Sequence, residues 1–268
     1  MKKYLIPFLA FALLGLVASF GGPHASVSAM QQTHSVNQVF PSDGRMAISS
    51  LPFTIDQCGS YFLTDCLTGV SGSHGIQIQA DDVTLDLNGF SLIGVAGSWS
   101  GIDAGFNNLK NIVVKNGTIR DWGQDGINVG QNGANGPVNG HFSNLKLFNN
   151  GGNGLDAGRA STVVDCSAHL NGAVGILSHD HSLLIRCRSS ENQFGIVTVS
   201  DSVVKDCSAF NNAQDGITTG DGAVVENCTS GQNGGFGFNV PNSLLRGNTS
   251  RANSSNWNAP ASSMIENH

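Results

Sequence analysis

Residues 175–194, GILSHDHSLLIRCRSSENQF, and residues 195–215, GIVTVSDSVVKDCSAFNNAQD, are consecutive copies of one pattern. Each opens on Gly followed by Ile, places a cysteine twelve residues after the glycine (Cys187, Cys207), and an asparagine five residues later (Asn192, Asn212). Extending the glycine register outward gives Gly75-Ile76, Gly101-Ile102, Gly126-Ile127, Gly154-Leu155, Gly175-Ile176, Gly195-Ile196, Gly216-Ile217 and Gly237-Phe238, with spacings of 26, 25, 28, 21, 20, 21 and 21 residues. A period near 21 is too short for a strand, a helix and a return strand. It accommodates several short strands separated by Gly, Asn, Asp and Ser turns. The pattern therefore predicts an all-β chain folded as a single parallel β-helix of about eight coils. Each coil stacks about 4.8 Å above the last, so that equivalent residues pair along the axis. The handedness of parallel crossover connections makes it right-handed.

The ladders account for the residue types. Val163, Leu184, Val204, Val225 and Leu245 share one position and form an expected aliphatic stack, while the small Ala168, Ala209 and Ser230 fill a narrow part of the core. Asn171, Asn192, Asn212 and Asn233 suit an inward turn, where side-chain amides donate and accept along the axis; earlier coils hold Trp122 and Asn150 there, and the last holds Asn253. Cys166, Cys187, Cys207 and Cys228 form a second ladder, read as buried thiols, with their redox state open. Cys58 and Cys66 flank a stretch that reads as a strand in a capping hairpin, and a disulfide between them is expected.

Lys2 and Lys3 precede an apolar run from Tyr4 to Phe20, followed by small residues ending Val27-Ser28-Ala29. Residues 1–29 thus read as a bacterial-type secretory signal peptide, which predicts a secreted or periplasmic protein with no membrane span once the signal is cleaved. Residues 30–70 are expected to cap one end of the solenoid, 71–257 to form the β-helix, and 258–268 to be a tail. With few apolar residues in that tail, self-association at the C-terminal end is an open possibility. Without Lys2 and Lys3 the formal charge is −8, from 11 basic and 19 acidic residues. Such a surface lacks the basic stripe that nucleic acid requires.

The run Ser73-His74-Gly75-Ile76-Gln77-Ile78-Gln79-Ala80-Asp81-Asp82-Val83-Thr84-Leu85-Asp86-Leu87-Asn88-Gly89-Phe90, together with the repeats, resembles the right-handed parallel β-helix repeat proteins of the pectate-lyase-like superfamily. The resemblance covers roughly residues 50–257. It implies the fold and leaves activity open, since that architecture hosts lyases, hydrolases, epimerases, adhesins and phage tailspikes. A pectate lyase relationship implies an Arg or Lys base beside a calcium-binding acid cluster, and a polygalacturonase relationship implies Asn-Thr-Asp, Asp-Asp and Gly-His-Gly motifs. None of these marks is found in the sequence.

In each Gly-Ile strand the third residue faces outward by alternation, giving Gln77, Asp103, Asn128, Asp156, Leu177, Val197, Thr218 and Asn239. Three adjacent coils thus align Asp103, Asn128 and Asp156, with the carboxylates roughly 10 Å apart. Such a row suits sugar hydroxyls, a calcium ion held by Asp103 and Asp156, or a paired acid and base. It equally suits a solvated polar strand. The coils bearing it are the longer ones, and Trp99, Phe106 and Trp122 lie in or near them, as candidate sugar platforms or equally as core, with Asp125 at the adjoining turn and Arg159 close by as a cation or base. On the next turns, His179-Asp180-His181 has the residue types of metal ligands, although alternating residues on a turn need not converge. Two functions follow from the sequence. One is a protein that binds or acts on polysaccharide through a groove over the N-terminal coils, with catalytic Asp103, Asp156 and Arg159 and binding residues Asn128, Trp99, Trp122 and Asp125. The other is a non-catalytic structural or adhesive cell-surface β-helix.

Overall fold

In the computed structural model, which describes residues 44–104, 108–130 and 138–268, the chain is a parallel β-solenoid. The expected signal peptide, residues 1–29, and Phe106 lie outside the described residues. A coil such as 174–190 contains three short strands, Val174–Ser178, Leu183–Ile185 and Arg188–Ser190. Stacked coil on coil, they build three faces. The first face is a separate ten-stranded sheet running from Phe53–Ile55 to Ser255–Asn258. The second and third faces share one sheet, because Val113–Arg120 and His141–Phe148 run across both without a break.

The bends between faces are made by single residues in the left-handed region. In one coil these are His181 (φ 60°), Arg186 (φ 51°) and Glu191 (φ 55°). That conformation costs a residue with a Cβ about 1–2 kcal/mol. The ladders on either side of each corner outweigh the cost and hold it.

Tertiary register follows the repeat. Val163 pairs with Leu184, Leu184 with Val204, Val204 with Val225 and Val225 with Leu245, and all five side chains are fully buried. The column continues upstream through Phe142, Val114 and Leu85. The asparagine ladder is a chain of direct bonds. The backbone N–H of Asn171 donates to Asn192 Oδ1 (2.8 Å), that of Asn192 to Asn212 Oδ1 (3.1 Å), that of Asn212 to Asn233 Oδ1 (3.0 Å) and that of Asn233 to Asn253 Oδ1 (2.9 Å). Each amide nitrogen also donates to a carbonyl inside the coil, as Asn192 Nδ2 does to Ala168 O at 3.2 Å. The glycine register is a consequence of this ladder. A Cβ on Gly175 would sit 2.0 Å from Ser189 Oγ and 2.6 Å from Asn192 Nδ2, so nothing larger than glycine passes there.

The solenoid is longer than the glycine count. Phe53 pairs with Ile76 and Trp257 with Phe238, adding one rung at each end where Pro52 and Asn256 stand in the glycine position. The segment expected as a cap therefore already carries strands: Met46–Ile48 pairs in parallel with Gly59–Leu63, which pairs with Val83–Asp86. Likewise Ser263–Ile265, in the expected tail, pairs with Leu244–Arg246 and leaves Met264 and Ile265 exposed.

This arrangement corrects the expected Cys58–Cys66 disulfide. Both cysteines are free and exposed. The strand between them is a rung of the solenoid rather than an arm of a hairpin, and its four extended steps span about 13 Å, whereas bonded cysteines keep their Cα atoms within about 7 Å. The other four cysteines are free and buried. Their thiols point at carbonyls, Cys187 Sγ lying 3.5 Å from Val163 O. Asn248 occupies the cysteine position in the following coil and accepts from the Cys228 N–H at 2.8 Å. Among the described residues no helix is long and apolar enough to cross a membrane.

Candidate functional site

The site lies on the first face, where the strands Ile102–Asp103, Ile127–Asn128 and Leu155–Asp156 stack in register. Ile102, Ile127 and Leu155 point into the core, which turns Asp103, Asn128 and Asp156 to the opposite side of the sheet. The structure thus brings the predicted row together. It also corrects the solvated reading, because the three residues are only 3%, 1% and 6% exposed.

Burial forces the polar groups to find partners. Asn128 Nδ2 donates to Asp103 Oδ1 at 2.7 Å. Asn128 Oδ1 is buried and accepts no hydrogen bond from the described residues. Asp156 Oδ1 lies 3.2 Å from His179 Nε2, a residue delivered by the corner of the next coil, and accepts from the Gly158 N–H at 3.4 Å. A Cβ on Gly130 would come within 1.7 Å of the same oxygen, so a glycine is required for the chain to pass over Asp156.

Charge is crowded around this row. Burial raises the pKa of Asp103, against the opposing effects of the His74 charge and the Asn128 hydrogen bond. Asp125, on the turn before Gly126, accepts from the Asn153 N–H at 2.6 Å. Its carboxyl is pushed up to about 6, chiefly by burial, with the charges of Asp156 and Asp103 adding to the rise and the Asn153 bond working against it. His179 is raised, first by its bond to Asp156. Arg159 Nε lies 3.8 Å from Asp180 Oδ2, so the cation is turned toward a turn carboxylate beside His179. The cluster is an acid–base ensemble: Asp125 exchanges its proton near neutral pH, and His179 is held toward its charged form beside Asp156.

Other predicted residues fall elsewhere. Trp99 is 44% exposed and meets His74 edge to face at 5.0 Å between ring centroids, which leaves an aromatic surface open near Asp103. Trp122 is not a sugar platform. It is 1% exposed, donates from Nε1 to Leu92 O at 3.3 Å, and fills the core of the wider early coils at the position the later coils give to asparagine. His179 and His181 diverge, since His181 is exposed and sits 3.8 Å from Asp201. Among the described residues no three His, Cys, Asp or Glu side chains converge as a metal cage requires, and in the row itself an amide separates Asp103 from Asp156. His74 was not singled out from the sequence, because nothing in its spacing marks a residue at a turn as facing the row.

Further along the same face lies an open hollow of about 270 Å³ lined by Val174, Phe194, Val197, Asp215, Thr218 and Asn239. Asp215 there accepts from the Phe236 N–H at 2.7 Å and from Asn239 Nδ2 at 2.9 Å.

The family model for the right handed β-helix region matches residues 100–254. No curated protein matches the sequence. Among solved structures, the A-module of the mannuronan C-5 epimerase AlgE4 of Azotobacter vinelandii superposes with a TM-score of 0.61 at 14% identity, covering 84% of each chain. Pectate lyase Pel9A gives a TM-score of 0.61 at 17% identity, covering 84% of this chain and 69% of that one. The catalytic domain of GH87 alpha-1,3-glucanase in complex with tetrasaccharides gives 0.56 at 14% identity, covering 80% and 48%. At these identities the likeness is one of fold.

Proposed function

The chain belongs to the right-handed β-helix family, and we propose that it is a secreted protein that binds polysaccharide over its N-terminal coils and acts on it by acid–base chemistry. The observation that carries this reading is the buried Asn128 Oδ1, unpartnered among the described residues, between two carboxylates. A buried acceptor without a donor costs about 1–3 kcal/mol. A sugar hydroxyl would supply the donor once the chain covering the row moves aside, since Asn128 is only 1% exposed. Trp99 offers the apolar surface a pyranose ring stacks on, and Asp125 offers a proton near neutral pH.

In this reading Asp103 and Asn128 orient the sugar, Asp125 donates or receives the proton, and Asp156 with His179 and Arg159 balances the charge that develops. The names of the structural neighbours, an epimerase, a lyase and a glucanase, are those of polysaccharide-acting proteins and agree with this class of partner. The test is a glycan-binding and depolymerisation screen, with calcium present and absent, on the wild type and on Asp103→Ala/Asp156→Ala. Binding or product that disappears in the double variant supports the site. Product that survives it removes the site and keeps the enzyme.

The second reading, a stiff structural or adhesive rod, is favoured by the coils from Gly154 onward, where period and ladders are regular and the first face turns to Leu177 and Val197. A rod gives neither product nor saturable binding in the same screen.

A further inference from the structure

The third face carries a feature that neither reading uses. Lys146 is flanked in register by Thr118 and Ser167, and Ser167 by Arg188, so two cations stand two rungs apart with a small residue between them. One column along the same strands, Phe148 is flanked by Arg120 and His169. The rings of Phe148 and His169 stack at 5.7 Å with 24° between planes, and Phe148 is 37% exposed although large apolar side chains of this fold have a core to enter. His169 is fixed by a 3.1 Å bond between Nδ1 and Ser190 Oγ. Between the two columns is a hollow of about 270 Å³, floored by Leu147 and walled by Thr118, Arg120, Lys146, Phe148, Ser167 and His169, with Arg188 one rung beyond Ser167.

The acids at the corners nearest this hollow are already engaged. Asp121 is bonded by Arg120, and Asp165 is held by Arg186 through two bonds of 2.7 and 2.8 Å. Among the described residues Lys146 and Arg188 take part in no ion pair, and Glu191 stands at the corner beyond Ser190. An acidic protein with few cations thus concentrates unneutralised positive charge beside a stacked, partly exposed aromatic pair, on a face separate from the carboxylate row.

We propose that this hollow is a second binding site, for an anionic sugar unit of a polysaccharide: the ring lies against the exposed Phe148, which the stacked His169 braces, and its carboxylate or sulfate is held by Lys146 within the hollow and by Arg188 reaching in from the rung beyond Ser167. Charge-assisted bonds hold the acid group and the aromatic pair selects a ring over a bare anion. Lys146→Gln/Arg188→Gln and Phe148→Ala change exposed side chains, and Lys205→Gln, whose ion pair with Glu226 lies on the second face, serves as control.

Calorimetric titration of the purified protein with tetragalacturonate, a sulfated tetrasaccharide, cellotetraose and inorganic polyphosphate decides the matter. The expected result is binding of at least one acidic tetrasaccharide, weakened about tenfold or more in both the double variant and Phe148→Ala and unchanged in Lys205→Gln, with no cellotetraose binding that the double variant weakens. The two acidic probes report which anionic group is preferred. Binding that the double variant leaves intact overturns the proposal, as does binding of neither acidic sugar. Polyphosphate binding of equal strength with no effect of Phe148→Ala also overturns it, because that pattern describes a charge patch without a sugar site. Because the double variant and Phe148→Ala change only the third face, failure of the carboxylate row leaves this outcome readable.

Discussion

Asn128 donates from Nδ2 to Asp103 Oδ1 at 2.7 Å across one rung of the first face, while Asp156 occupies the rung on its other side. The amide thus separates two buried acids that would otherwise stack about 4.8 Å apart. Asn128→Asp is expected to put three carboxyls in one column. It should lower the melting temperature far more at pH 8 than at pH 5, where protonation relieves the repulsion. Asn128→Ala removes the bond together with the orphaned acceptor and should cost only about 1–2 kcal/mol at either pH. Equal losses at both pH values in Asn128→Asp would mean that the row is not electrically coupled.

Asp125 gives a stability signature of definite sign. Its carboxyl lies at about 6 in the folded protein against an ordinary value of 3.8, so the folded state binds the proton more tightly than the unfolded chain. The stabilisation is complete below pH 3.8 and is lost as pH rises to about 6. A shift of this size corresponds to on the order of 3 kcal/mol. Urea unfolding of the wild type and of Asp125→Asn across that interval should differ in slope, the variant being flatter. Parallel slopes would remove Asp125 as the group that exchanges a proton near neutral pH.

Interior asparagines should be far costlier to lose than the terminal one. Asn192 accepts from the Asn171 N–H and donates to Ala168 O, Ser189 Oγ and Asn212 Oδ1. Asn192→Ala leaves a buried N–H and a buried carbonyl unpaired and is expected to cost about 2–4 kcal/mol. Asn253→Ala, near the open end, should cost less than half as much. Chemical denaturation of the two variants compares them directly, and equal costs would show that the ladder adds nothing beyond burial.

Thiol chemistry separates the two groups of cysteines. Cys58 and Cys66 are exposed and free, so an alkylating reagent should modify two thiols rapidly in the native protein. Cys166, Cys187, Cys207 and Cys228 are 1–2% exposed, and burial raises the Cys166 thiol well above its ordinary range, so the four should react only on unfolding. Mass spectrometry of the labelled protein counts them. A native protein with no fast-reacting thiol would restore the Cys58–Cys66 bond expected from sequence.

The repeat was legible because each ladder needs the same residue at the same spacing. Gly175, Cys187 and Asn192 are constrained by contacts that recur coil after coil, and the recurrence is visible in one sequence. The end rungs were missed because Pro52 and Asn256 replace the marker glycine there. The candidate site was legible only in direction. Alternation along a strand says that Asp103, Asn128 and Asp156 leave the core, but it does not say what covers them, and their burial arises partly from chain passing over the face, as at Gly130. Of the two readings open for Trp122, the inward one holds, because an aromatic in a wide early coil fills the volume that one asparagine fills later. The contact between His179 and Asp156 joins different coils through a corner, and no linear spacing reports it.

The ladders also bear on how the molecule assembles. In the asparagine column every partner is about one coil away in sequence, 20 or 21 residues between successive amides from Asn150 to Asn253. Closing a loop of that length is entropically cheap, and no step from Asn150 to Asn253 requires a longer one. Each finished coil presents the open amides and strand edges on which the next is laid. The chain can therefore zip from one end as it becomes available, without waiting for distant segments to meet, and a fault in one coil would halt the coils beyond it while sparing those already formed.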